Sequence, residues 1–360
     1  AYSKQPRRAP CSDQEARLPM KFSILDQSPV RAGTSPDESI RESLALAQAC
    51  EGFGYHRYWV SEHHSSPAVA GSAPEVLMAA VAATTSRIRI GSAGIMLPHY
   101  AALKVAEQFR VLEALAPGRI DLGVGRAPGS DGRTAMALNP HAAGGADDFP
   151  AQVRDLYTWV NGGTLPVDHP FRAVTAQPEG PGGPELWMLG SSNYGAQLAG
   201  HFGLPYCFAY FFADGQGAEQ ALDMYRASFR PGILQAPYAA ITVWAFAAAT
   251  QERADYFYRS RAIARLMRDR GQYIALPSPE AADMAVLTPA ETARMERVKA
   301  DALSGTAADV ARRMTALGAA LGVQEIAITT TAFDPAARTE SYRLLAGQVG
   351  LGAQALAIAS

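Results

Sequence analysis

Cysteine is scarce in this chain: three residues in 360, at Cys11, Cys50 and Cys207, with no CxxC pair. So odd and scattered a set builds no disulfide framework, which places the chain in a reducing, cytoplasmic setting. Cys50 and Cys207 lie in apolar sequence and are expected to be packing residues. Charge of one sign is also lacking. Lys and Arg total 32 against 34 Asp and Glu, a formal net charge of −2. Nothing in that balance asks for nucleic acid as a partner. Long apolar runs are missing too: no segment approaches the about 20 residues that a membrane span needs. Residues 1–19 are polar and basic with no apolar centre, so they are no secretory signal. They are expected to form a disordered arm or an appended tail, with one domain over residues 20–355.

What is present is apolar material, 48% of the chain, in a repeated strand-then-helix pattern. Short apolar runs at 22–26, 58–60, 89–96, 120–124, 185–189, 206–211, 240–249 and 325–330 predict eight strands. Helical spacing follows each of them, over 37–53, 76–85, 101–115, 148–160, 194–199, 219–229 and 252–268, and from 335 onward, with a further helix at 307–321. Alternation of this kind implies a parallel sheet, and eight units favour a closed (β/α)8 TIM barrel of α/β class. Three Gly/Pro-rich or long stretches fall outside the repeat: 127–147, 162–184 and 271–299. Loops of this length are usually functional or disordered, and 271–299 is expected to be a mobile lid at the C-terminal face.

Four clusters could carry chemistry. Ser61-Glu62-His63-His64 follows the second strand at the barrel mouth. Adjacent histidines point in different directions and no second ligand cluster accompanies them, so no metal is expected. One histidine is expected to pack structurally, and the other to be the general acid or base. Gly123-Val124-Gly125-Arg126-Ala127-Pro128-Gly129 fails the dinucleotide fingerprint, because Pro128 stands at its third glycine. Arg126 at a strand end can hold a phosphate, or simply form a surface ion pair. Leu189-Gly190-Ser191-Ser192-Asn193-Tyr194 runs from a strand into a helix whose N-terminus is an anion site; capping by Ser191 or Asn193 is the plainer use. Gly91 to Pro98 sets small residues before bulky ones, a shelf for a planar ring or ordinary barrel packing. One phosphate pocket with no P-loop and no Rossmann motif suggests a mononucleotide.

KFSILDQSP, GFGYHRYWVSEHH, RIRIGSAGIMLPHY, EQFRVLEALAPGRIDLGVGR, LWMLGSSNYGAQLAGHFGLP and SGTAADVARRM occur in that order. Together they resemble the bacterial luciferase-like flavin-dependent monooxygenases over Met20 to Gly350. The resemblance is closest to the branch with oxygenases of streptomycete aromatic polyketide antibiotic biosynthesis, of the mensacarcin type. It implies that His63 is catalytic, and that Ala93-Gly94 is a cis peptide under the isoalloxazine ring. It further implies that Arg126, Gly190, Ser191 and Tyr194 hold the flavin phosphate end, and that Tyr210 lines the flavin cavity. Gly125 stands where luciferases carry a reactive cysteine, and Tyr194 where they carry a smaller hydroxyl residue; both departures argue against light emission.

The implied enzyme is two-component. A separate NAD(P)H-dependent reductase supplies reduced FMN as co-substrate, and O2 reacts through C4a-hydroperoxyflavin to oxygenate a hydrophobic, aromatic polyketide-like molecule. Tyr206, Phe208, Phe211 and Phe212 suit such a substrate, although core packing explains them too. Luciferase-like barrels associate in pairs, and the alanine-rich 76–85 helix fits a homodimer. The rival readings are a barrel that uses deazaflavin F420 for hydride transfer, a flavin-binding protein without turnover, and a metal-dependent hydrolase.

Overall fold

The computed structural model describes residues 19–127, 129–140 and 148–352. The expected arm, apart from Pro19, lies outside the described residues, as do Cys11, Pro128 and residues 141–147.

Eight parallel strands close into a barrel: β1 (Lys21–Asp26), β2 (Arg57–Val60), β3 (Arg89–Met96), β4 (Ile120–Gly125), β5 (Glu185–Gly190), β6 (Tyr206–Phe208), β7 (Ala239–Ala248) and β9 (Glu325–Thr329). Each pairs with its neighbour in this order, β6 pairs with β7, and β9 returns to β1. The ninth strand, β8 (Leu303–Thr306), pairs only with Ala245–Ala248 at the far end of β7.

An outer ring of helices covers the strands. It comprises α1 (Pro36–Phe53), α2 (Pro74–Thr84), α3 (Ala102–Leu115), α5 (Phe149–Val160), α6 (Asn193–Phe202), α7 (Ala218–Ser228), α11 (Ala307–Leu321) and α12 (Pro335–Gln348). The first shows how local sequence sets the limits. Ser35 accepts the N–H of Asp37, Pro36 opens the helix, and Asp37 and Glu38 face its positive end. Gly54 ends it at φ 88°, a left-handed value that favours glycine, and returns its N–H to Cys50 and Glu51. A short helix, α4 (Gly132–Leu138), lies between β4 and α5.

The remaining helices are α8 (Gln251–Asp269), α9 (Pro279–Asp283) and α10 (Pro289–Asp301). The sequence pattern puts 252–268 in the outer ring, and the structure differs. Alternation along β7 turns Ile241, Val243, Ala245 and Ala247 toward the helical layer, and Thr242, Trp244 and Phe246 inward. Helix α8 packs Phe257, Tyr258 and Ala262 against Trp244 and Phe246, on the inward side. The ring runs from α7 to α11 to α12 without it. Residues 249–306 are thus an insertion on the C-terminal face. Arg265 pairs with Asp214 in the β6–α7 connection, and Leu276 bridges to Arg31 in the β1–α1 connection. The expected lid segment, 271–299, is the second half of this insertion and holds α9 and α10.

The sixth strand is also shorter than expected. It stops at Phe208, and Tyr210–Phe212 is a 3-10 turn.

The barrel interior is layered. At its N-terminal end the buried Arg57 joins Asp121 at 2.8 Å, Glu185 at 3.0 Å and Glu325 at 3.0 Å, while Ser23 and Tyr238 donate to Glu325. Above this, Trp59 and Trp187 meet edge to face at 5.0 Å and plug the barrel. Toward the C-terminal end the inward residues include Leu25, Ala93 and Cys207, which pack on the tryptophan cluster and border a cavity. Space opens there.

Candidate active site

A cavity of about 280 Å³ lies over the C-terminal ends of the strands. It brings together His63, Ala93, Gly94, Arg126, Gly190, Ser191 and Tyr194. These come from the ends of β2, β3, β4 and β5 and from the start of α6, the face on which barrel enzymes carry their chemistry.

Glu62 and its neighbours set the β2 end. Glu62 is fully buried, and its carboxylate accepts from the Tyr100 hydroxyl at 2.7 Å and from the Met96 N–H at 2.9 Å. His64 Nε2 lies 2.7 Å from the same carboxylate. His64 is therefore the structural member of the pair, and its ring meets His99 edge to face. Three partners consume the Glu62 oxygens. Among the described residues, no group of three His, Cys, Asp or Glu side chains could hold a metal.

His63 has a different setting. Its backbone N–H donates to Gly71, its Nδ1 lies 3.2 Å from Ser61 Oγ, and its ring borders the cavity. Burial, reinforced by His64, holds its pKa down to about 4, so the ring is neutral near pH 7.

The Ala93–Gly94 peptide is cis. A Cβ at Gly94 would stand 2.5 Å from Leu189 Cδ1 and 2.7 Å from the Gly123 carbonyl oxygen. Strands β3 and β4 therefore approach here as only glycine permits. Gly125 has the opposite property. A Cβ there would meet nothing within 4 Å, and one at Gly190 would find its nearest atom at 3.9 Å. Both glycines leave open space on a cavity wall.

At the other wall the exposed Arg126 guanidinium lies 4.1 Å from the centroid of the Tyr194 ring. This contact is within cation–π range. No carboxylate pairs with Arg126 among the described residues, which removes the surface ion-pair reading. Ser192 is the N-cap of α6 and its hydroxyl makes no capping bond. The opening N–H groups of α6 are thus free of a side-chain cap beside an unpaired cation, an arrangement that suits a phosphate.

Tyr210 is not among the lining residues. Its ring packs beside Gly215, and Phe211 and Phe212 face the cavity in its place. Tyr206 and Phe208 are buried in the core between barrel and helices. Met96, from the expected Gly91 to Pro98 shelf, also lines the cavity, as do Met188 and Thr242, which sequence reasoning did not single out.

The comparisons agree with this geometry. The family model for luciferase-like monooxygenase matches residues 20–325. The uncharacterized protein YwcH of Bacillus subtilis is 42% identical over 329 residues, covering 91% of this chain and 98% of its own. The N-acetyl-S-alkylcysteine monooxygenase of the same organism is 35% identical over 334 residues, covering 92% and 98%. The crystal structure of apo-MsnO8, a mensacarcin biosynthesis monooxygenase, superposes with a TM-score of 0.83 at 34% identity, covering 92% of this chain and 99% of that one. Two more distant structures share the fold. One is the oxygenating constituent of 3,6-diketocamphane monooxygenase from Pseudomonas putida, in complex with FMN, at 19% identity, TM-score 0.69 and 92% and 98% coverage. The other is an F420-dependent secondary alcohol dehydrogenase, at 15% identity, TM-score 0.59 and 92% and 99% coverage. The chain belongs to the luciferase-like monooxygenase family. Among the described residues no helix is long and apolar enough to cross a membrane.

Proposed function

We propose that this protein is the oxygenating component of a two-component flavin monooxygenase, using reduced FMN delivered by a separate NAD(P)H-dependent reductase. The observation that carries the reading is one cavity that joins an unpaired arginine and an uncapped helix N-terminus to a neutral histidine at the rim. The open space beside Gly125 and Gly190 fits a planar ring against the wall, and Arg126 with the α6 N–H groups fits a phosphate. Reduced flavin, when bound, supplies the electrons that activate O2.

The chain's own residues do the rest. Arg126, Ser191 and the α6 N-terminus hold the phosphate end. Phe211, Phe212, Met96 and Met188 exclude water from the reacting centre. His63 directs Nδ1 at Ser61 and keeps Nε2 available to exchange a proton with the bound reactants. The insertion over 249–306, including 271–299, serves as the cover.

The substrate is a hydrophobic organic molecule. The relatives suggest two substrate classes, an aromatic polyketide and an N-acetyl-S-alkylcysteine. The test is oxygen uptake with a flavin reductase, NADH and FMN on panels of both, run beside F420 and its own reductant. Uptake that follows substrate and needs reduced FMN supports the reading. Turnover with F420 alone, or flavin binding without substrate-dependent uptake, overturns it. We further propose a cytoplasmic homodimer through α2 and α3, where Val76, Val111 and Leu115 are exposed; light scattering giving a monomer at micromolar concentration would reject the dimer.

A further inference from the structure

The insertion carries a cation that the reading above does not use. Arg261 lies on α8, the helix that packs over the inward side of β7. Its guanidinium stacks on Trp244, 3.9 Å from the ring centroid. Trp244 is one inward rung beyond Thr242, and Thr242 lines the cavity. Phe211 packs against the Trp244 cluster and also lines the cavity, so it connects the two places.

Arg261 has no ion pair and no hydrogen-bond partner among the described residues, and its Nε is buried. The nearby cation Arg265 is different: Asp214 neutralises it. Arg268 approaches Asp269 at 4.0 Å. Burial, together with repulsion from Arg265 and Arg268, pulls the Arg261 pKa down to about 9, which leaves it charged at neutral pH. The side chain is half-buried: Nε is closed off from water, while the two terminal nitrogens, without a partner among the described residues, stay open to a ligand.

We propose that Arg261 is a recognition site for a carboxylate on the organic substrate, held beside the cavity where Phe211 joins the cavity wall to the Trp244 cluster. This rests on the flavin monooxygenase reading and deepens it by naming the substrate class: an apolar molecule with one carboxylate. The geometry favours a carboxylate in two ways. A guanidinium stacked on an indole keeps its N–H edge free, and that planar fork matches two carboxylate oxygens. Only one unneutralised charge is available, which suits a monoanion better than a dianionic phosphate. The site is also distinct from the phosphate place at Arg126, because Arg126 follows β4 and stacks on Tyr194 of α6 whereas Arg261 stands against β7. Phe211, Phe212 and Met96 then receive the apolar part.

The test uses purified protein with FMN and no reductase or NADH, so a failure of oxygenation does not obscure it. The probes are N-acetyl-S-benzylcysteine, 4-phenylbutyrate and decanoate, each paired with its own carboxamide, and binding is followed by calorimetry. At least one acid should bind wild type about tenfold or more tightly than its amide. Arg261→Met should bring that acid to the level of the amide and leave amide and FMN affinities unchanged. Arg261→Lys, which keeps the charge without the planar fork, should fall between the two. Equal affinities for acid and amide in wild type, no acid bound at all, or equal losses of acid and amide in both variants would each overturn the proposal. Any of these results leaves the oxygen-uptake test of the broader reading unaffected.

Discussion

The guanidinium of Arg126 lies over the ring of Tyr194, 4.1 Å from its centroid. Stacking fixes the plane of the arginine without engaging its N–H groups, so the side chain is held ready while its edge stays free. The aromatic residue at the start of α6 is therefore a support for the cation, and the departure from a smaller hydroxyl residue is compatible with the proposed phosphate site.

The first prediction concerns that pair. Arg126→Ala should weaken FMN binding about ten- to a hundredfold, the loss of one charge-assisted contact. Riboflavin, which lacks the phosphate, should bind the variant nearly as it binds wild type. Titration of both flavins decides the matter; equal losses would mean that Arg126 supports only the rim.

Two glycines on one strand should behave oppositely. A Cβ at Gly123 would stand 2.2 Å from the Ser92 carbonyl oxygen, whereas one at Gly125 would meet nothing within 4 Å. Gly123→Ala should lower stability by about 2 kcal/mol or more through overpacking. Gly125→Ala should melt like wild type yet bind FMN more weakly, because its methyl occupies the open wall. Thermal melts and flavin titrations of both proteins check this, and a stable Gly123→Ala would contradict the close approach of the strands.

Glu62 ties three elements together through Tyr100, Met96 and His64. Glu62→Ala strands those groups in a buried site and should cost about 3 kcal/mol. Glu62→Gln keeps an acceptor and should recover part of the loss. Denaturant unfolding of both variants measures the difference; identical stabilities would show that the carboxylate is dispensable.

His56 and His63 are both held by burial at about 4, below their ordinary 6.5. The unfolded chain takes up protons near 6.5, while the folded chain resists until about 4. Their neutral burial thus contributes stability that is full above pH 6.5 and is lost progressively as pH falls toward 4. The melting temperature should hold between pH 7 and 8 and drop below 6.5, and His56→Gln should reduce that drop. His63→Ala should keep the fold and FMN binding while slowing oxygenation about a hundredfold, the lower range for general acid–base catalysis. A wild-type rate in His63→Ala would remove the residue from the mechanism.

Much of this architecture was legible in the sequence because period and punctuation coincide. Val- and Ile-bearing runs mark β1 to β4, β7 and β9, the Leu-Trp-Met-Leu run marks β5, and Pro36, Ser35 and Gly54 frame α1. The places of His63, Arg126 and Ser191 follow from their positions at strand ends. Helix α8 was misread because a helical stripe shows that one side is buried, not what it is buried against. Phe257, Tyr258 and Ala262 would pack equally well on the outer face of β7. The four residues of β8 contain Ser, Gly and Thr and carry no strand signature. Tyr210 is a cavity-lining expectation carried by the family resemblance; the turn that begins at Tyr210 brings Phe211 and Phe212 to the cavity wall. Helix α10 did leave a mark: Thr288 and Glu291 form a capping box across its first turn.

The strand that outruns its barrel separates two inheritances. Because β7 projects past β6 and receives both α8 and β8 on its surplus length, the main seam of 249–306 is with β7, with further ties through the Arg265–Asp214 pair and the Arg31–Leu276 bridge. The chain leaves the barrel after β7 and re-enters it at α11 with the helical ring intact. Segments of other length or chemistry can be exchanged at that seam during descent without renegotiating the eight-stranded scaffold. The barrel proposed to bind the flavin and the insertion proposed to select the substrate can therefore drift at different speeds.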